Sequence, residues 1–195
     1  MKYDYVLGII ASIFLVASQT SYIHSVAKKR VCPNILPWFS WGVIISSAWV
    51  SQFIEIGWEW SAIGVLLSGV GCLVIATLGL SQKNYLIDKK DWYFLFVGIV
   101  CFILYLTSKN PWLTTIYAIL ADLLLAVPMI IKAYKFPKTE KTIAWYFSAI
   151  SWTIATYISF FDEIIFRIFP IYLLLFSVLM IILMNKKSNN INYKK

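Results

Sequence analysis

Seven apolar runs separated by short polar breaks account for nearly all of this chain, and they predict helices over residues 4–26, 35–54, 60–81, 91–107, 112–134, 141–160 and 164–184. Each run is close to the ~20 residues that a helix needs to cross a bilayer core. Within the runs the polar residues are grouped. The first is apolar until Ser18 and then carries Gln19, Thr20, Ser21, Tyr22 and His24, with Thr20 and His24 on one face. An amide at the depth of Gln19 needs a hydrogen-bonding partner. The second run opens with Pro37 and Trp38, the latter placed as an interface anchor, and carries Trp41 and Trp49 deeper, where an indole can wall a pocket and donate one hydrogen bond. The third places Gly64, Ser68, Cys72 and Ala76 on one stripe, which predicts close helix packing. The fourth has almost no polar residue and reads as a connector. The sixth begins near Trp145 and carries Ser148, Ser151, Trp152, Thr153, Thr156 and Tyr157.

Composition turns this pattern into a class. Of 195 residues, 61% are hydrophobic and 13% charged, and the mean hydropathy is +0.77. These values describe an all-α integral membrane protein with seven transmembrane helices and no soluble domain. The net charge of +8 does not indicate nucleic acid, because the basic residues fall in clusters between apolar runs. The first, third and fifth loops and the C-terminal tail hold three, three, four and four of the 17 Lys and Arg residues, and the remaining segments hold three. That alternation predicts an outside N-terminus and a cytoplasmic C-terminus. Asp4, Glu55, Glu59, Asp162 and Glu163 fall on the outer side, forming either a solvated rim or an acidic mouth that steers cationic and zwitterionic solutes. The segment before the first run lacks a basic signal-peptide start, so that run is expected to be retained. Short loops and the Lys, Asn and Ile-rich tail suit a bacterial inner membrane. Cys32, Cys72 and Cys101 show neither a disulfide framework nor a metal spacing.

The candidate chemistry centres on residues 118–145. Asp122 lies near the middle of an apolar run, where a carboxylate costs roughly 2.5–3.5 kcal/mol and therefore needs a partner, a proton or a function. Pro128 follows, removing a backbone donor and predicting a kink with freed carbonyls. Enzyme classes fit poorly, and no cofactor is implied. A retinal protein needs a Schiff-base lysine in the last helix, and none lies between Glu163 and Asn185. An intramembrane aspartyl protease needs two carboxylates in the spans, and a metalloenzyme needs more than one histidine.

Helices 1–3 and 5–7 overlay without a gap: Trp38 falls on Trp145, Phe39 on Tyr146, Lys28 on Lys135, Ala48 on Ala155 and Phe53 on Phe160. Three helices, a connector and three more helices give both triplets the same orientation, and such parallel repeats place a solute site between the halves. With this plan the chain resembles the PQ-loop and SWEET superfamily of transporters. Its boundaries would be 1–82 for the first triplet, 83–110 for the connector, 111–185 for the second triplet and 186–195 for a basic cytoplasmic tail. Where the family has a Pro-Gln pair late in the first helix of each triplet, this chain has Ser18-Gln19 in one and Pro128-Met129, followed by Lys132, in the other. Sugar-transporting members carry an asparagine in the third helix of each triplet. Residues 60–81 and 164–184 contain none, which points away from sugars. The resemblance implies alternating-access transport of a small polar solute, with Pro128 as hinge and with Gln19, Asp122, Trp41, Trp152 and Thr156 in the solute or proton site. It also implies that one chain completes the pathway, as a monomer or within a homo-oligomer in the lipid bilayer. The alternatives are a seven-helix receptor or assembly partner that does not transport, and a nicotinamide riboside uptake protein of similar architecture.

Overall fold

A computed structural model describes residues 2–56, 63–85, 87–108, 110–161 and 164–186. Among these there are seven α-helices and no strands: α1 (Lys2–Ala27), α2 (Ile35–Ile56), α3 (Ile63–Ser81), α4 (Asp91–Thr107), α5 (Pro111–Lys135), α6 (Ala144–Ser159) and α7 (Ile164–Asn185). A 3₁₀ turn spans Pro137–Glu140. The helices start and stop for local reasons. Asn110 caps α5 by accepting hydrogen bonds from Trp112 N (2.9 Å) and Leu113 N (3.4 Å), with Pro111 in the first turn where its missing N–H costs nothing. The sixth helix begins at Ala144 rather than at 141, because Pro137 opens the 3₁₀ turn and the Thr142 hydroxyl accepts from Ala144 N (3.3 Å). Pro128 sits inside α5, which continues through it to Lys135.

Three helices, α1, α5 and α7, contain stretches long and apolar enough to cross a membrane, Tyr5–Ala27, Thr115–Lys135 and Arg167–Asn185. The distribution of side chains agrees with a lipid surround. Ile9, Ile13, Phe96, Ile103, Ile150, Leu175 and Ile182 are exposed on outward faces. Ser18, Ser148, Ser151, Thr156 and Ser177 are buried. Polar groups inside and apolar groups outside is the arrangement that a hydrocarbon solvent favours.

The packing forms a closed series: α1 touches α3, α3 touches α2, α2 touches α5, α5 touches α7, α7 touches α6, and α6 returns to α1. The fourth helix stands outside this series against α5 and α2, with Gly98 letting it approach Leu125 and the Ala121 carbonyl. Two seams join α1–α3 to α5–α7, and they differ. At the α1/α6 seam, Ser18 Oγ donates to Ala144 O (2.8 Å), Ser151 Oγ donates to Ala11 O (2.8 Å), and the Ser25 and Thr142 hydroxyls meet at 3.0 Å. The α2/α5 seam is looser, and α4 backs it. Between α2 and α3 the close approach runs along Gly42 and Gly69, whose added Cβ atoms would fall 2.6 Å from Leu73 and 2.5 Å from Ser46. The stripe of Ser68, Cys72 and Ala76 instead faces α1 and the interior.

The connecting segments after α1, α3 and α5 lie together at one end. Cys32 N donates to Thr139 O, Asn84 Nδ2 donates to Val31 O, and Asn34 Nδ2 donates to Asp91 Oδ2. Asn185, at the end of α7, reaches the hydroxyl of Tyr146 at the start of α6. Lys28, Lys29, Arg30, Lys83, Lys89, Lys90, Lys135, Lys138 and Lys141 all belong to these segments, so this is the basic end. Glu59, Asp162 and Glu163 of the expected acidic mouth, and residues 187–195 of the tail, lie outside the described residues, as do the side chains of Asp4, Glu55 and Trp49.

Candidate functional site

The helices enclose a cavity of about 480 Å³ lined from all seven, within the range typical of small-molecule sites. Its floor, toward the basic end, is aromatic. Trp38 and Trp41 meet edge to face at 5.4 Å between ring centroids, Trp41 meets Phe176 at 6.0 Å, Phe176 meets Trp145 at 5.8 Å, and Trp145 returns to Trp38 at 6.4 Å. Four rings thus close on one another, in the offset and edge-on geometries that ring quadrupoles prefer. The indole N–H groups of Trp38, Trp41 and Trp145 are buried without a hydrogen-bonding partner among the described residues. An unsatisfied buried donor costs about 1–3 kcal/mol, so three of them at a cavity floor call for an explanation.

The walls carry the polar groups. Gln19 donates to Ser68 O (2.8 Å) and Ser68 Oγ (3.1 Å). Gly71 makes room for this amide, because a Cβ there would lie 2.2 Å from Gln19 Oε1. Ser148 and Ser177 share a hydrogen bond at 2.9 Å. Asp122 projects from α5 into the cavity and accepts a hydrogen bond from the Tyr172 hydroxyl at 2.7 Å. No Lys, Arg or His lines the cavity, so Asp122 is its one formal charge among the described residues. No three His, Cys, Asp or Glu side chains among them come together to hold a metal ion.

Beneath the aromatic floor the molecule is closely packed. Tyr22, fully buried, packs on Trp38 at 4.5 Å between centroids and donates to Glu140 Oε2 at 2.7 Å. Glu140 is 0% exposed and pairs with Lys132, 6% exposed, which also donates to the Cys32 carbonyl. One network therefore ties α1, α5, the 3₁₀ turn and the α1–α2 connection together. Met129, Ala133 and Met180 fill the space around it.

Four of the expected site residues, Gln19, Trp41, Asp122 and Trp152, line the cavity together. Thr156 does not: it is buried on α6 away from the lining, with its hydroxyl lacking a partner. Pro128 lies between Asp122 and Lys132 on α5, buried beside Met129. His24 is exposed and lines a separate recess with Arg30 and Lys141. The sequence marks Trp38 as an anchor and Trp145 as the opening of the sixth helix without giving either a place in the site, and it gives no sign of Phe176, Tyr172 or the Tyr22–Glu140–Lys132 network. The overlay of Trp38 on Trp145 was the one signal for the aromatic floor. No family model matches this chain, and no curated protein or solved structure is significantly similar to it.

Proposed function

We propose that the chain is a seven-span membrane transporter that moves a small polar solute by alternating access. Its two parallel three-helix units flank the connector α4, with the basic end in the cytoplasm. The observation that carries this reading is a mid-bundle cavity with polar lining from both sets of three helices, holding one carboxylate and sealed below by a paired network. The packing order supports the internal repeat. Within α1–α3 the third helix lies between the other two, and within α5–α7 the last helix does the same. In this reading the Tyr22–Glu140–Lys132 network is a closed inner gate, Pro128 is the hinge that lets the lower part of α5 swing away, and Asp122 carries a proton or a cationic solute. Pro128 suits the role because, four residues before Lys132, it removes the helix hydrogen bond to the Leu124 carbonyl.

The test is flux. In proteoliposomes, uptake from a panel of amino acids, vitamins, nucleosides and amines is followed with and without a pH gradient. A saturable solute that responds to the gradient in wild type and not in Asp122→Asn is the expected result. Unchanged coupling in that variant removes Asp122 from the proton path, and absence of carrier-mediated flux removes the transport reading. A receptor of the same fold is the second reading, favoured by the packed and paired network at one end, since a receptor needs access from one side only.

A further inference from the structure

We propose that the cavity takes a planar heteroaromatic monocation, its ring on the indole floor and its cationic group at Asp122. This rests on the reading of the cavity as a solute site and names the class of solute. Three observations converge on it. The first is charge: Asp122 is the one ionisable group of formal charge in the lining, and Tyr172 is its one hydrogen-bonding partner among the described residues. A ligand anion would face that carboxylate in a low-dielectric wall with no compensating cation, whereas a monocation pairs with it.

The second observation is the set of orphaned donors. Trp38, Trp41 and Trp145 carry buried N–H groups that no group among the described residues accepts. Water is a poor occupant of a floor walled by four aromatic rings, because it needs several polar partners. A ring nitrogen or ring carbonyl supplies the missing acceptors while its flat face packs against the same rings. An aliphatic cation would leave these donors unpaired. A neutral aromatic ligand would satisfy the donors and leave the carboxylate uncompensated.

The third is spacing. Trp41 stands six residues into α2 from Ile35, and Asp122 stands thirteen residues before Lys135, both measured from the basic end. Counted at 1.5 Å per residue from these helix ends, the backbone at Asp122 stands about 10 Å further in than the backbone at Trp41. A six-membered ring, a linker of two or three carbons and a hydrogen bond at each end fill that interval, and the cavity volume accommodates them. Gln19 and Ser68 lie on the wall beside the path, and Gly71 keeps the amide retracted.

The probes are 3-(pyrimidin-5-yl)propylamine, the matched alcohol, the matched carboxylate and 3-phenylpropylamine, titrated by calorimetry into the full chain in lipid nanodiscs. In wild type the pyrimidinyl amine binds, and the alcohol and carboxylate bind at least about tenfold more weakly. The phenyl amine, lacking ring acceptors, is also weaker. In Asp122→Asn the advantage of the amine over the alcohol disappears. Trp41→Phe keeps a ring and deletes the N–H, and it brings the pyrimidinyl and phenyl amines closer together. An alcohol or carboxylate that binds as well as the amine overturns the proposal, as does failure of both amines to bind. The wild-type series decides this even where a variant fails to fold. Flux of the bound amine into proteoliposomes separates the two readings. Binding without flux removes transport and leaves the ligand class standing. Flux of neutral or anionic solutes in a protein that ignores the amines removes the ligand class and leaves transport standing.

Discussion

At the basic end, Lys132, Glu140, Tyr22 and the Cys32 carbonyl are buried and joined to one another, as are Asn34 and Asp91 beside them. At the aromatic floor and above it the polar groups are only partly paired: Trp38, Trp41 and Trp145 have idle donors, and Asp122 holds a single hydrogen bond. Both regions place charge and hydrogen-bonding groups inside an apolar bundle, at similar cost in desolvation. What separates them is completion. A network whose members satisfy one another has no use for a ligand, and its effect is to hold segments in place. A set of groups left unsatisfied around 480 Å³ of space is poised for something to arrive.

This contrast predicts that substitutions at the basic end act on stability and substitutions in the cavity act on binding. The largest effect is expected for Lys132→Ala, which leaves the fully buried Glu140 carboxylate without its cation and destabilises the fold by about 3–5 kcal/mol. Denaturant titration in detergent measures it, and a double variant Lys132→Met with Glu140→Leu should regain most of the loss. If the single variant is as stable as wild type, the basic end is not a lock. Tyr22→Phe comes next: it deletes the donor to Glu140 Oε2 and should cost about 1.5–3 kcal/mol, read in the same titration. Gln19→Ala removes an interhelical hydrogen bond to Ser68, and the expected loss is smaller, about 0.6–1.7 kcal/mol. Asp122→Asn sits at the foot of this scale. Its amide retains an acceptor for Tyr172, so the melting temperature should stay close to wild type while amine binding is lost. A large drop in stability for Asp122→Asn, with binding intact, would reverse the comparison.

Element positions were legible in the chain because hydrocarbon burial imposes one rule on every span: about 20 apolar residues bounded by polar breaks. Helices α4 and α7 fall within one residue of the apolar runs 91–107 and 164–184, although α4, at 17 residues, is not among the three helices long enough to cross a membrane, and the Lys and Arg clusters of alternate loops meet at one end of the bundle. Asp122 and Gln19 were legible for a related reason, since a polar group inside an apolar run stands out at any register. The aromatic floor was not, because a tryptophan near a helix entrance is equally suited to the membrane interface. Trp38 becomes floor only because Trp145 of α6 and Phe176 of α7 close on it and on Trp41, its neighbour on α2. Thr156 illustrates the opposite case. It shares a face of α6 with Ser148 and Trp152 at four-residue spacing, yet it lies one turn beyond the cavity lining.

Hydrophobic periodicity and charge placement therefore specify which segments are helices and which ends carry the basic loops, since both follow from local composition and the solvent. Whether a buried polar group is paired or idle depends on partners far along the chain. Glu140 finds Tyr22 across 118 positions, and Asp122 finds Tyr172 across 50. Only the closed order of the helices brings those partners together, and with them the difference between a sealed end and an open site.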